Sequence, residues 1–139
     1  MTQYEHSAGV VLFCLQEGKT VYLLLHYPNG HWDYVKGNRE KQETLQQTVL
    51  RECQEETGLK HIKFIPCFEE TVHYFFKREK DVVAKDVVFL LGMASSVKVR
   101  LSSEHTGFVW LPYEKAVEKV TFPNAKTLLK KAHEHLQSI

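Results

Sequence analysis

The segment Thr44–Thr57 constrains this chain most, because it puts acids where a helix needs apolar side chains. It holds neither Pro nor Gly, and Gly58 follows it, a residue suited to the left-handed position just past a helix end. At about 100° per residue, with Leu45 at zero, Val49 falls at about 40°, Cys53 at about 80° and Leu50 at about 140°. These four define an apolar arc. Glu56 falls at about 20°, Glu52 at about 340° and Glu55 at about 280° on the near flank. Glutamates on a solvated face should avoid that arc. Two readings stay open from the residues alone. One is a surface helix whose acids pair with Arg51 or Lys41. The other is a carboxylate cluster kept for a cation. Clustered carboxylates repel, so one or more keeps its proton unless a cation neutralises it. Hard divalent cations with oxygen ligands suit such a cluster, and Mg²⁺ usually brings phosphates with it.

The rest of the composition excludes several classes. The 139 residues are 43% hydrophobic, 12% aromatic and 25% charged. That is globular usage, enough for one domain over residues 1–139 with its own core, and it argues against disorder. Lys and Arg number 18 against 17 Asp and Glu, a formal charge of +1. This excludes a nucleic-acid binder that works by bulk charge, though not a local basic site. Cys14, Cys53 and Cys67 form no Cys-x-x-Cys pair, which disfavours a disulfide framework or zinc knuckle and points to a reducing compartment. The apolar runs Val10–Leu15 and Val87–Leu91 are strand-sized and too short to cross a membrane. The expectation is a cytoplasmic monomer with no membrane partner and no obligate nucleic acid.

Strand and helix patterns alternate along the chain. Val10–Leu15 and Val21–Leu25 read as a hairpin across Gln16–Thr20. Ile62–Phe76 and Asp86–Ala94 read as strands, with charged Lys77–Asp81 opening their connection. Val97–Leu101 alternates apolar and basic residues like a half-buried strand. Phe108–Leu111 is a short strand, and Pro112 suits the first turn of a helix running to about Val120. Ala125, Leu128, Leu129, Ala132 and Leu136 keep helical spacing.

The linear pattern around the acidic helix is specific. From Gly37 the chain reads Gly37-Asn38-Arg39-Glu40-Lys41-Gln42-Glu43, then seven residues, then Arg51-Glu52-Cys53-Gln54-Glu55-Glu56-Thr57-Gly58-Leu59. This resembles the Nudix box, with Gly37, Glu43, Arg51, Glu52, Glu55, Glu56 and Gly58 at its fixed positions. Seven such matches arise by chance with a probability on the order of 10⁻⁷ to 10⁻⁶. Cys53 stands where a larger aliphatic is usual. The resemblance implies an α/β fold of the α+β kind, an α/β/α sandwich around a mixed sheet. It also implies hydrolysis of a nucleoside diphosphate linked to another group, with a divalent metal: Mg²⁺, with Mn²⁺ as the second candidate. Carried over, Glu52, Glu55 and Glu56 ligate or orient metal, and the Gly37 carbonyl is a further ligand. Arg51 orients a box carboxylate, Glu43 being the expected partner; its bland reading is an exposed salt bridge worth under about 1 kcal/mol. Glu55 is the expected acceptor of the water proton, with Glu52 and Glu104 as rivals.

Residues outside the box narrow the substrate. His31-Trp32-Asp33-Tyr34-Val35-Lys36-Gly37 resembles the segment entering the box in asymmetric diadenosine tetraphosphate hydrolases. Arg100-Leu101-Ser102-Ser103-Glu104-His105 followed by Phe108-Val109-Trp110-Leu111 resembles a later segment of that group. Val35 and Asn38 depart from its usual Pro and His, and Glu104 matches a carboxylate that approaches the metals from a loop. A polyphosphate needs cations and a base needs flat rings. By this similarity Lys36 and His31 act near the phosphate chain, Lys85 binds phosphate, Tyr74 stacks on a base or contacts phosphate, and Phe122 stacks on the other base. The implied partner is a small-molecule dinucleoside polyphosphate, diadenosine tetraphosphate above all, cleaved to ATP and AMP. Removal of pyrophosphate from RNA 5′ ends is a second enzyme reading, and a non-catalytic nucleotide-sensing module a third; such modules commonly lose box acids, and none is lost here.

Overall fold

The computed structural model describes residues 2–139. Strand β1 (Thr2–Gln16) and β2 (Lys19–His26) form a hairpin closed on Glu17 and Gly18, with Gln16 opposite Lys19. The short strands β3 (Trp32–Asp33) and β4 (Val35–Asn38) lead into α1 (Leu45–Thr57). Then come β5 (Ile62–Phe64), β6 (Glu70–Arg78), β7 (Asp81–Ala94), β8 (Gly107–Pro112), α2 (Tyr113–Lys119) and α3 (Pro123–Ser138).

One mixed sheet organises these elements. Among the described residues β1 and β7 run parallel, from Thr2 opposite Val82 to Phe13 opposite Met93, and the other pairings are antiparallel. Along its other edge β1 changes partner: Ser7–Val10 pairs with β4, whereas Phe13–Gln16 pairs with β2. The sheet therefore forks between β2 and β4. Alternation along β1 feeds two cores. Val11 and Phe13 pack with Phe89, Leu91, Leu128, Leu129 and Ala132 under α2 and α3. Ala8, Val10 and Leu12 pack with Val49 and Cys53 of α1. Each fully buried aliphatic contributes about 1.5–3 kcal/mol. The layering is α/β/α.

Four expectations about local structure change. Ile62–Phe76 is two strands, because Pro66 and Cys67 turn the chain, Cys67 with φ 67°. The charged residues after Phe76 finish β6 and make a tight hairpin, so β7 begins at Asp81 rather than Asp86. Leu50 is 36% exposed and lies outside the core. Val97–Leu101 is not a strand. The Arg100 N–H donates to the Thr57 carbonyl (2.9 Å) and the Ser102 N–H to the Glu56 carbonyl (3.1 Å). Those carbonyls lie in the last turn of α1 and have no partner within the helix. The alternating segment thus caps a helix rather than joining a ladder, while Val99 and Leu101 still pack against the α1 core.

Candidate active site

The local sequence fixes where α1 starts and stops. The Thr44 hydroxyl accepts from the Gln47 N–H (3.1 Å), and the Gln47 side chain accepts from the Thr44 N–H (2.9 Å). Such a capping box contributes about 1 kcal/mol. Gly58 ends the helix at φ 74°, a conformation with little cost only for glycine. Between these caps the acids take distinct environments. Glu56 is 2% exposed. The Glu52 carboxylate is largely covered, whereas the Glu55 side chain is 58% exposed.

Glu56 meets a residue from the loop that caps the helix. His105 Nε2 lies 2.7 Å from Glu56 Oε1, with both side chains buried. Glu56 Oε2 is buried without a hydrogen-bond partner. The Glu52 carboxylate beside it can satisfy that oxygen only by sharing a proton. Burial first, then the facing Glu52 and the charges of Glu104 and Glu55, push the Glu56 carboxyl up to about 10. Burial lowers the His105 pKa. Without a cation, the pair is therefore driven toward its neutral forms.

Arg51 gathers the remaining acids. Its Nε and Nη2 donate to the two Glu43 oxygens at 2.7 and 3.0 Å. Its Nη1 donates to Glu52 Oε1 at 2.7 Å and more weakly to Glu55 Oε2 at 3.4 Å. Nη2 also reaches the Asn38 carbonyl at 2.9 Å. Arg51, the Glu40 N–H and the Thr48 hydroxyl hold the Glu43 carboxyl down at about 2. A bidentate fork shared among several acceptors is not an isolated exposed ion pair.

Gly37, on β4, faces this cluster. A Cβ there would lie 2.1 Å from Glu52 Cδ, so any side chain would displace the carboxylate. Glu104 is exposed on the capping loop, close enough to raise Glu56. Among the described residues no three His, Cys, Asp or Glu side chains already form a cage for an ion. The chemistry of the group nevertheless suits a hard cation: clustered carboxylate oxygens, a donorless buried oxygen on Glu56, and a strand backbone approached as closely as glycine permits.

Rings and cations make the other wall of the fork. Tyr27 links the walls. Its ring packs edge-on to His105 (4.6 Å, 87°) and face-to-face on His31 (4.6 Å, 11°), and its hydroxyl donates to the Tyr34 carbonyl (2.5 Å). His31 continues to Phe122 at 5.1 Å, and Phe122 is 40% exposed. Lys36 Nζ sits 5.0 Å from the Tyr74 ring centre and 5.8 Å from that of Tyr27, and is tied to buried Asp33 at 3.0 Å. Lys85 lies opposite Tyr74 in the β6–β7 register. Burial and the charge of Lys36 lower its pKa.

The structure thus brings His31, Phe122, Lys36, Tyr74 and Lys85 onto one wall and Glu52, Glu56 and Gly37 onto the other, with Glu55 and Glu104 at the solvent edge. Sequence reasoning missed Tyr27, Asp33 and His105. Asp33 and His105 stood inside quoted segments, but nothing in their spacing signals burial. Tyr27 lies in Tyr27-Pro28-Asn29-Gly30, whose sequence signals a turn and not a site.

A family model described as NUDIX domain matches residues 4–132. The bis(5′-nucleosyl)-tetraphosphatase (asymmetrical) of Sus scrofa is 36% identical over 126 residues, covering 85% of this chain and 82% of that protein. The Mus musculus protein of the same name is 34% identical over 125 residues, covering 84% and 81%. Among solved structures, a C. elegans Ap4A hydrolase binary complex aligns with a TM-score of 0.84 at 27% identity, covering 97% of this chain and 99% of that one.

Proposed function

The chain belongs to the NUDIX family, and from that premise we propose a Nudix pyrophosphohydrolase that cleaves dinucleoside polyphosphates, diadenosine tetraphosphate above all, to ATP and AMP. The observation that carries this reading is one fork of the sheet with buried box acids on one wall and stacked rings with two lysines on the other, joined by Tyr27. The tetraphosphatase relatives support the substrate class.

Each residue has a role in this scheme. Glu52, Glu56, Glu104 and the Gly37 carbonyl would hold a divalent cation, Mg²⁺ first and Mn²⁺ second. Such an ion supplies charge neutralisation at phosphoryl oxygens and a lower pKa for water. Lys36 and Lys85 bind the phosphate chain. Lys36 is aimed by Asp33, and a half-buried Lys85 loses less solvation when it meets an anion. Tyr74 and Phe122 receive the bases, and His31, stacked on Tyr27, acts near the phosphate chain. Glu55 is the most exposed of the α1 acids and keeps only a long contact to Arg51, so it is free to take a proton from water. Arg51 orients Glu52 while Glu43 holds the guanidinium. The protein works as a cytoplasmic monomer, one Nudix domain over residues 1–139. No helix among the described residues is long and apolar enough to cross a membrane.

Incubation with diadenosine tetraphosphate and Mg²⁺, with products resolved by chromatography, tests the reading. ATP and AMP are expected. Two ADP, or no turnover, overturns it. Size-exclusion chromatography with light scattering checks the monomer.

A further inference from the structure

We propose that His105 is a positioning residue: its Nε2–H holds Glu56 Oε1, keeping Oε2 turned into the acid cluster, and Tyr27 locks the imidazole in that pose. The proposal rests on the reading of Glu56 as a cation ligand.

The contact is short and dry. Nε2 and Oε1 are 2.7 Å apart, with side-chain exposures of 2% and 3%. Glu56 Oε2 and His105 Nδ1 are both buried with no partner, so each side chain makes one polar contact and makes it with the other. An ionised carboxylate only accepts, so when Glu56 carries its charge the imidazole must be the donor through Nε2. That leaves Nδ1 as a bare acceptor and one Glu56 oxygen uncommitted. Buried polar atoms are normally paired, and an uncommitted buried carboxylate oxygen beside a second carboxylate is what a ligand waiting for its ion looks like.

The imidazole is itself held on several sides. The Arg100 and Ser102 N–H groups fasten its loop to the last turn of α1. The His105 main-chain N–H reaches the Ser102 carbonyl at 3.4 Å. Tyr27 meets the ring edge-on, and the Tyr27 hydroxyl is pinned to the Tyr34 carbonyl. The ring therefore has little freedom to release Glu56. Partners that orient a metal-ligating side chain typically alter metal affinity 10- to 100-fold when removed.

Mn²⁺ binding to the substrate-free protein, read by electron paramagnetic resonance, tests this without reference to turnover. Glu56→Gln and His105→Phe should each weaken Mn²⁺ binding about 10- to 100-fold with circular dichroism unchanged. His105→Gln places an amide N–H near the position of Nε2 and should recover most of the loss; His105→Asn is one bond too short and should not. If Glu56→Gln binds Mn²⁺ like the wild type, the ligand role of Glu56 fails and the proposal with it. If Glu56→Gln weakens binding but His105→Phe does not, only the positioning role is overturned. Should His105→Phe fail to fold, the Gln and Asn variants decide: equal affinities overturn the proposal.

Discussion

Glu56→Gln should stabilise the cation-free protein while removing its activity. The Glu56 carboxyl is pushed up to about 10 in the fold, against 4.5 for an ordinary glutamate. The folded state therefore holds a proton that the unfolded chain gives up. Stability from this group is fully present below pH 4.5 and is lost as pH rises toward 10. At pH 7.5 the full mismatch amounts to about 4 kcal/mol. Local relaxation and solvent screening reduce this to about 1–3 kcal/mol. Glutamine keeps the shape, carries no charge and brings an N–H for the Glu52 carboxylate. In EDTA at pH 7.5 the variant should melt about 3–10 °C higher than the wild type. The gap should close at pH 4.5, where both forms are neutral. A Mg²⁺ concentration that saturates the wild type should stabilise it more than the variant. Turnover of diadenosine tetraphosphate should fall by two or more orders of magnitude. Scanning calorimetry in EDTA across that pH range is the assay. A variant that melts below the wild type by the same margin at both pH values would refute the buried, repelled carboxyl.

Further outcomes follow from other contacts. Gly37→Ala puts a carbon 2.1 Å from Glu52 Cδ, so the carboxylate must leave its place; kcat should drop at least tenfold with little change in melting temperature. Arg51→Lys replaces a bidentate fork by a point charge; wild-type stability owed to the depressed Glu43 carboxyl is present above pH 4.5 and lost as pH falls toward 2, and this acid-limb dependence should flatten in the variant's calorimetric profile. Lys85→Met keeps the half-buried stem and removes the charge; KM for the tetraphosphate should rise about tenfold with kcat less affected, measured by steady-state kinetics.

Much of this molecule was legible before its coordinates. Apolar, β-branched runs located the β1–β2 hairpin, and helical spacing located α3, since a period near 3.6 reports which face is buried; Pro112 marked the start of α2. Gly58 marked the end of α1, because capping is a local interaction; the Thr44–Gln47 capping box at its start emerged only in the fold. Two errors share one physical origin. Val97–Leu101 alternates like a strand, yet the N–H groups of Arg100 and of Ser102 just after it are drawn to carbonyls at the end of α1, more than forty positions earlier. Leu50 sits on the arc by angle, but tertiary packing leaves it 36% exposed and outside the α1 core.

The sequence by itself determined the box and its acids, along with the chemistry that carboxylates at those intervals can perform, because spacing along one helix is set by covalent geometry. Only the tertiary structure decided that Glu56 is dry and Glu55 wet, that His105 holds the first, and that Tyr27 joins the acid wall to the stacking wall. Burial and dielectric belong to the packing of distant segments, and no local pattern encodes them.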